Sequence, residues 1–214
     1  MVMTKKRSLD GPTLGTTVAV LGLALIACKR ERHAPAPASS SPVPTLAPTA
    51  SPTSTGPMYG ARGIDMCKKT DLKPFDDLKV KVLKTEPNTN ARLDAGCVFY
   101  LRTPSGRDLT LIIEVETFKS VDLAKPNLSS LRKFSGGMKY EGSVTGIGDE
   151  ADGFSAEDQE AGLWESDYMM RARYENMVVK VQLAAYGKPL FPKATLAEKV
   201  RALVEATAKL VPKS

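Results

Sequence analysis

The stretch "CVFYLRTPSGRDLTLIIEVETF", residues 97–118, carries the clearest fold signal in the chain. Cys97, Phe99 and Leu101 share one side of an extended segment, and Leu109, Leu111, Ile113 and Val115 share one side of another. Between the two runs lies "TPSG" (103–106), a string of turn formers. Successive strand side chains point to opposite faces, so a period of two with one apolar side predicts a hairpin resting on a core. The opposite side of the second strand holds Thr110, Ile112, Glu114 and Glu116.

The flanking segments extend this pattern. "DLKPFDDL" (71–78) spaces Leu72, Phe75 and Leu78 three apart and predicts a short helix, while "KVKVLKTE" (79–86) alternates as a strand. "VDLAKPNLSSLRKF" (121–134) predicts a helix with its start blurred by Pro126. The glycine-rich passage from Gly142 to Gly153 reads as a loop. Strands return in residues 162–186, with a tight turn at Tyr174–Asn176. A final helix is predicted over 195–211, where Thr195 and Glu198 fit a capping box and Leu196, Val200, Leu203, Thr207 and Leu210 make an apolar stripe. Strands clustered between helices predict an α+β domain over residues 61–214, an antiparallel β-sheet flanked by helices.

Upstream of this domain the chain changes character. No charged residue occurs from Ala34 to Ala61, and seven of the 15 prolines lie between Pro35 and Pro57. Residues 29–60 offer almost no large side chain for a core, which predicts a Pro/Ala/Ser/Thr-rich disordered tether. Its Ala34–Pro57 stretch reaches roughly 75 Å when extended. Ahead of it, Lys5, Lys6 and Arg7 precede an apolar run of roughly ten residues from Val18 to Ala27. Such a run is shorter than a bilayer span of about 18 residues, and it reads as an export signal.

Leu25-Ile26-Ala27-Cys28 resembles a bacterial lipobox. The resemblance implies cleavage after residue 27, a diacylglycerol on the Cys28 thiol and acylation of the new N-terminus. Residues 28–60 would then join a membrane to a domain on the extracytoplasmic side of the cell envelope. Two or three acyl chains anchor stably where one binds reversibly. With Cys28 assigned to lipid, Cys67 and Cys97 remain as a pair in an oxidising compartment and read as a disulfide, the alternative being two buried free thiols. Zinc would need more ligands than two cysteines with no histidine in the domain.

A second resemblance spans the domain. Cys67 near "DL", "GCVF" (96–99), "GIGDEA" (146–151), paired strands and a terminal amphipathic helix are similar to a group of uncharacterised bacterial envelope lipoproteins, best populated in actinobacteria. The strand order is similar to PsbP-like sandwiches. "KRER" (29–32) departs from the small residues common after the lipidated cysteine there. These families have no agreed activity, so the resemblance implies an address and a shape.

Charge and composition exclude several functions. The net charge of +6 arises mostly outside the domain: residues 61–214 hold 24 Lys and Arg against 22 Asp and Glu. A nucleic-acid-binding domain would carry a dense basic patch of its own, and none is visible. His33, the one histidine, sits in the tether, which leaves the domain without an imidazole for a nucleophilic triad. No G-x-S-x-G or phosphate-cradling G-x-x-x-x-G-K-[ST] occurs, and no cofactor is expected.

Three constellations remain. Ser130 and Lys133 match S-x-x-K on a predicted helix, but no K-T-G element accompanies them and only "SDY" (166–168) echoes the S-D-N element. They supply, with carboxylates, an alternative reading as an envelope hydrolase. Asp149, Glu150, Asp152, Glu157, Asp158 and Glu160 could serve calcium, yet their spacing misses the EF-hand pattern and reads as a solvated loop. Finally, Arg102, Glu114, Glu116, Arg171, Arg173, Lys180 and Gln182 gather on one sheet face if the strands lie as read. This candidate binding face would serve an envelope protein or an anionic envelope component, and Arg171 and Arg173 would be replaceable by Ser without loss of fold. A plain water-facing sheet laced with cross-strand ion pairs is the simpler account. The favoured function is a non-catalytic binding or interaction domain displayed from a membrane; a structural or sensory accessory protein is a third reading.

Overall fold

The computed structural model describes residues 56–132, 136–160 and 163–214. All of these residues fall within one unit, Ala50–Ser214. The export signal, Cys28, His33, the tether as far as residue 55, and Lys133 lie outside the described residues.

β2 (Ala95–Arg102) and β3 (Asp108–Thr117) form the hairpin read from residues 97–118, paired from Ala95↔Val115 to Arg102↔Asp108. Alternation decides their packing, because Cys97, Phe99, Leu101, Leu109, Leu111, Ile113 and Val115 all enter one core. β1 (Lys81–Pro87) extends the sheet beyond β2. β7 (Met177–Tyr186) pairs with β3 and is followed across the sheet by β6 (Leu163–Tyr174), β5 (Glu150–Glu160) and β4 (Lys139–Ser143). Every neighbouring pair is antiparallel, in the order β1-β2-β3-β7-β6-β5-β4.

α3 (Lys193–Leu210) packs its apolar stripe on β6 and β7, burying Leu196, Val200, Leu203 and Thr207. Met66 of the one-turn α1 (Met66–Lys69) and Phe75 of the 3-10 helix Lys73–Leu78 join the same core. Helices flanking an antiparallel sheet make this the α+β fold expected. The expected disulfide is present: Cys67 of α1 is bonded to Cys97 of β2 across 30 residues, with the Cα atoms 5.2 Å apart. Closing that loop contributes roughly 3–4 kcal/mol on the chain-entropy model. α2 (Val121–Leu131) lies over the other face of β6 and β7, with Ser120 accepting from the Leu123 amide at its start. No helix among the described residues is long and apolar enough to cross a membrane.

The structure departs from the sequence reading in three places. The acidic passage is strand from Glu150 onward, not loop, since Ala151, Asp152, Gly153, Phe154 and Ser155 are all buried. Asp152 survives there because Arg132, Tyr140 and Ser143 all reach its carboxylate, as burial of a charge requires. α3 begins two residues early, at Lys193, so Thr195 lies inside the helix and makes no side-chain cap. Pro126 sits in the interior of α2 rather than at its start.

The "GIGDEA" run has a structural purpose. Ile147 plugs the core, and Gly148 adopts φ +54° where a Cβ would strike the Arg173 carbonyl. Asp149 then docks on the β6–β7 turn: its amide donates to the Arg173 carbonyl (2.8 Å), and its carboxylate accepts from the Arg173 guanidinium and the Glu175 amide. Beside this turn the incoming chain pairs with the last residues of α3's tail, through Met58–Ser214 bonds in both directions and a Gly60–Pro212 bond.

Candidate functional site

Strand parity sends Glu165, Asp167, Met169, Arg171 and Arg173 of β6 to the face opposite α3, because Tyr168, Met170 and Ala172 are in the core. On β7 the same face receives Lys180 and Gln182, which lie directly opposite Arg171 and Met169. On β5 it receives Asp152, Phe154, Ala156 and Asp158. Gly136, Gly137 and Met138 stand beside these strands, and together they enclose an open groove of about 510 Å³. A smaller hollow of about 200 Å³ adjoins it, shared through Arg171 and Lys180 and lined also by Glu114, Glu116 and Asn127.

The groove has a charge gradient along β6. Asp158, Glu165 and Asp167 occupy one end, Arg171 and Lys180 the other, and Ala156, Met138 and Met169 lie among them. Asp167 is the most unusual member. Only 8% of it is exposed, Gln182 donates to its Oδ2 at 2.6 Å, and its Oδ1 is sealed from solvent with no side-chain donor among the described residues. Burial pushes its carboxyl up to about 6, reinforced by the Glu165 charge and partly relieved by Gln182, Lys180 and the Tyr168 backbone amide. At the other end Lys180 Nζ is 2.8 Å from Glu114 Oε2, and the Asn88 amide holds the second Glu114 oxygen. The Arg171 guanidinium stacks 5.4 Å from the centre of the Phe154 ring. Burial also lowers the Arg171 pKa, opposed by Glu114 and Asp152.

All seven candidate face residues lie on this side of the sheet, but only some come together. Glu114, Arg171 and Lys180 meet at the junction of the two hollows, with Glu116 at the edge of the smaller one. Burial and Asp94 raise the Glu116 carboxyl, while the Asn127 amide donates to it. Arg102 stands apart at the end of the hairpin, forked onto its cross-strand partner Asp108. Arg173 is buried and committed to Glu150 (2.7 Å) and Asp149 (2.8 Å). Its expected free replaceability is therefore corrected: Arg173 is a structural ion-pair centre, because removing it strands two carboxylates at the turn.

Ser130 and three members of the acidic run have local partners in the same geometry. The Ser130 hydroxyl donates to the Asn127 carbonyl, one turn back on its own helix, and Lys133 lies outside the described residues. Asp149 and Glu150 face Arg173, Asp152 faces Arg132, and alternation sends Glu157 and Asp158 to opposite sides of β5. Among the described residues no group of three or more His, Cys, Asp or Glu could hold a metal ion.

Sequence reasoning missed Glu165 and Asp167, although the signal was present. They share the parity of Arg171 and Arg173 in "WESDYMMRARY" (164–174), so placing the arginines outward places both acids outward too.

No family model and no curated protein matches the chain. Among solved structures, a Bacteroides thetaiotaomicron protein aligns at TM-score 0.38 and 15% identity, over 56% of this chain and 40% of its own length. LpqN of Mycobacterium tuberculosis, involved in cell envelope biogenesis, aligns at TM-score 0.22 and 16% identity, over 60% of this chain and 78% of its own. Likeness at this level assigns neither fold nor function here.

Proposed function

We propose that this chain is a lipid-anchored envelope protein whose domain, residues 61–214, holds a ligand in the groove along β6 and catalyses no reaction. Asp167 is the observation that carries the binding reading. A desolvated carboxylate destabilises the fold, and a cationic group arriving in the groove beside it offsets part of that cost. Its position in an open groove that also holds an arginine and a lysine fits capture better than packing. The anchor rests on the basic start, the short apolar run and Leu25–Cys28.

Two experiments test the two halves. Labelled palmitate should enter the wild-type chain and not Cys28→Ala, and Cys28→Ala should leave the membrane fraction; a variant that stays fully membrane-bound overturns the anchor. For the groove, purified full chain in detergent micelles is incubated with small molecules extracted from the envelope, and the retained compounds are identified by mass spectrometry. Wild type should retain a compound that Lys180→Met loses while still folding cooperatively, as its thermal melt shows. Equal retention by both, or retention of nothing, overturns the groove as the binding site.

A further inference from the structure

The charge layout of the groove specifies more than the presence of a ligand. We infer that the ligand is a zwitterion of short-peptide length, its ammonium held by Asp158, Glu165 and Asp167 and its carboxylate by Arg171 and Lys180. This rests on the groove being the binding site.

Three observations carry it. The first is polarity: a simple anion filling the groove would lie against three carboxylates, and a simple cation would lie against Arg171 and Lys180. Like charges brought together in this way discriminate strongly against the wrong ligand. The second is length. Asp167 and Arg171 are four residues apart on β6, which at a strand rise of about 3.3 Å separates their backbones by about 13 Å. An extended peptide spans about 3.3–3.6 Å per residue, so three or four residues with free ends bridge the two poles. The third is the middle of the groove, where Ala156, Met138 and Met169 offer apolar contact and Gln182 offers an amide. Methionine adapts to varied side chains, so it suits a ligand recognised chiefly by its ends.

The poles are built unequally. At the acidic pole the three carboxylates of Asp158, Glu165 and Asp167 converge on one end of the groove, where an ammonium brings both a positive charge and three protons to donate. At the basic pole Lys180 is already paired with Glu114, so an arriving carboxylate shares an ammonium with two further protons available. The ammonium is therefore the end whose loss weakens binding more.

The probe is tetra-alanine, with N-acetylated and C-amidated forms as controls, titrated into the full chain in detergent micelles carrying 13C-methyl methionine. The Met138 and Met169 methyl signals should move, while those of Met66, Met170 and Met177, buried in the main core, stay fixed as controls for intact fold. N-acetylation should weaken binding tenfold or more and amidation several-fold, and Asp167→Asn should lose the preference for a free amine. Equal affinity for capped and uncapped peptides overturns the zwitterion. So does no response to any peptide. A groove response to inorganic phosphate alone likewise overturns the zwitterion but leaves the groove as the binding site, a separate outcome from extract retention failing altogether.

Discussion

Asn176 and Tyr59 hold each other in both directions across 117 residues of chain. The Tyr59 amide donates to Asn176 Oδ1 at 2.9 Å, and Asn176 Nδ2 donates back to the Tyr59 carbonyl at 3.0 Å. The same Nδ2 reaches the Phe118 carbonyl at 2.9 Å. One side chain at the β6–β7 turn thus ties the incoming segment and the end of β3 to a single point. Asn176→Ala orphans a buried amide and two carbonyls, so it should cost about 2–4 kcal/mol, read as a lower urea midpoint.

The Cys67–Cys97 bond joins α1 to the second strand of the decisive hairpin. Replacing both cysteines with Ala should lower stability by roughly 3–4 kcal/mol on the loop-closure model. For a domain of this size that is a drop of about 10 °C in Tm. A reducing agent should reproduce the shift in wild type and leave the double variant unmoved, which separates loss of the cross-link from loss of side-chain packing.

Arg173 and Lys180 sit on the same face with unequal expected phenotypes. Arg173→Ser strands Asp149 and Glu150, removes the turn's guanidinium and should cost about 2–4 kcal/mol, allowing for the partial exposure of both carboxylates. Lys180→Met keeps the aliphatic stem and leaves Glu114 its Asn88 partner, so it should cost less, about 1–2 kcal/mol. Chemical denaturation of the two variants side by side checks the difference.

Asp167 makes stability depend on pH in a sense opposite to most surface acids. Its folded value of about 6 exceeds the unfolded value of about 3.9, so the folded state holds the proton more tightly. Lowering the pH from about 6 to 4 therefore stabilises the fold through this group, and its full cost stands above pH 6. The groups that set this balance are Glu165 and Arg171 on its own strand, Asp158 on β5, and Lys180, Gln182 and Tyr186 on β7. Asp167→Asn preserves the Gln182 bond and removes the charge. It should raise stability at pH 7.5 by about 1–3 kcal/mol, and should abolish this rise between pH 6 and 4 in a series of thermal melts.

Most of the architecture was legible where one physical signal dominated. Alternation placed β2, β3, β6 and β7, and the 3.6-residue stripe from Leu196 to Leu210 placed α3. β5 was hidden because its five buried residues are an acid, two small residues, a serine and a single phenylalanine, and only Tyr140, Ser143 and Arg132, remote in sequence, make Asp152 tolerable there. Thr195 and Glu198 misplaced the start of α3, since a capping pattern shows where a helix can begin and not where packing lets it extend. The candidate site was half visible. The basic pole followed from strand parity, whereas the acidic pole needed the knowledge that Glu165 and Asp167 line a hollow rather than meet water.

The two-way clasp between Tyr59 and Asn176 also fixes a lever arm. Tyr59 is thereby fixed beside the β6–β7 turn, while Asp167 lies nine residues back from Asn176 along β6, about 30 Å away at strand rise. Clasp and acidic pole therefore stand toward opposite ends of one paired strand. A force applied through Tyr59 meets the turn first, with nine residues of laddered strand between it and Asp167.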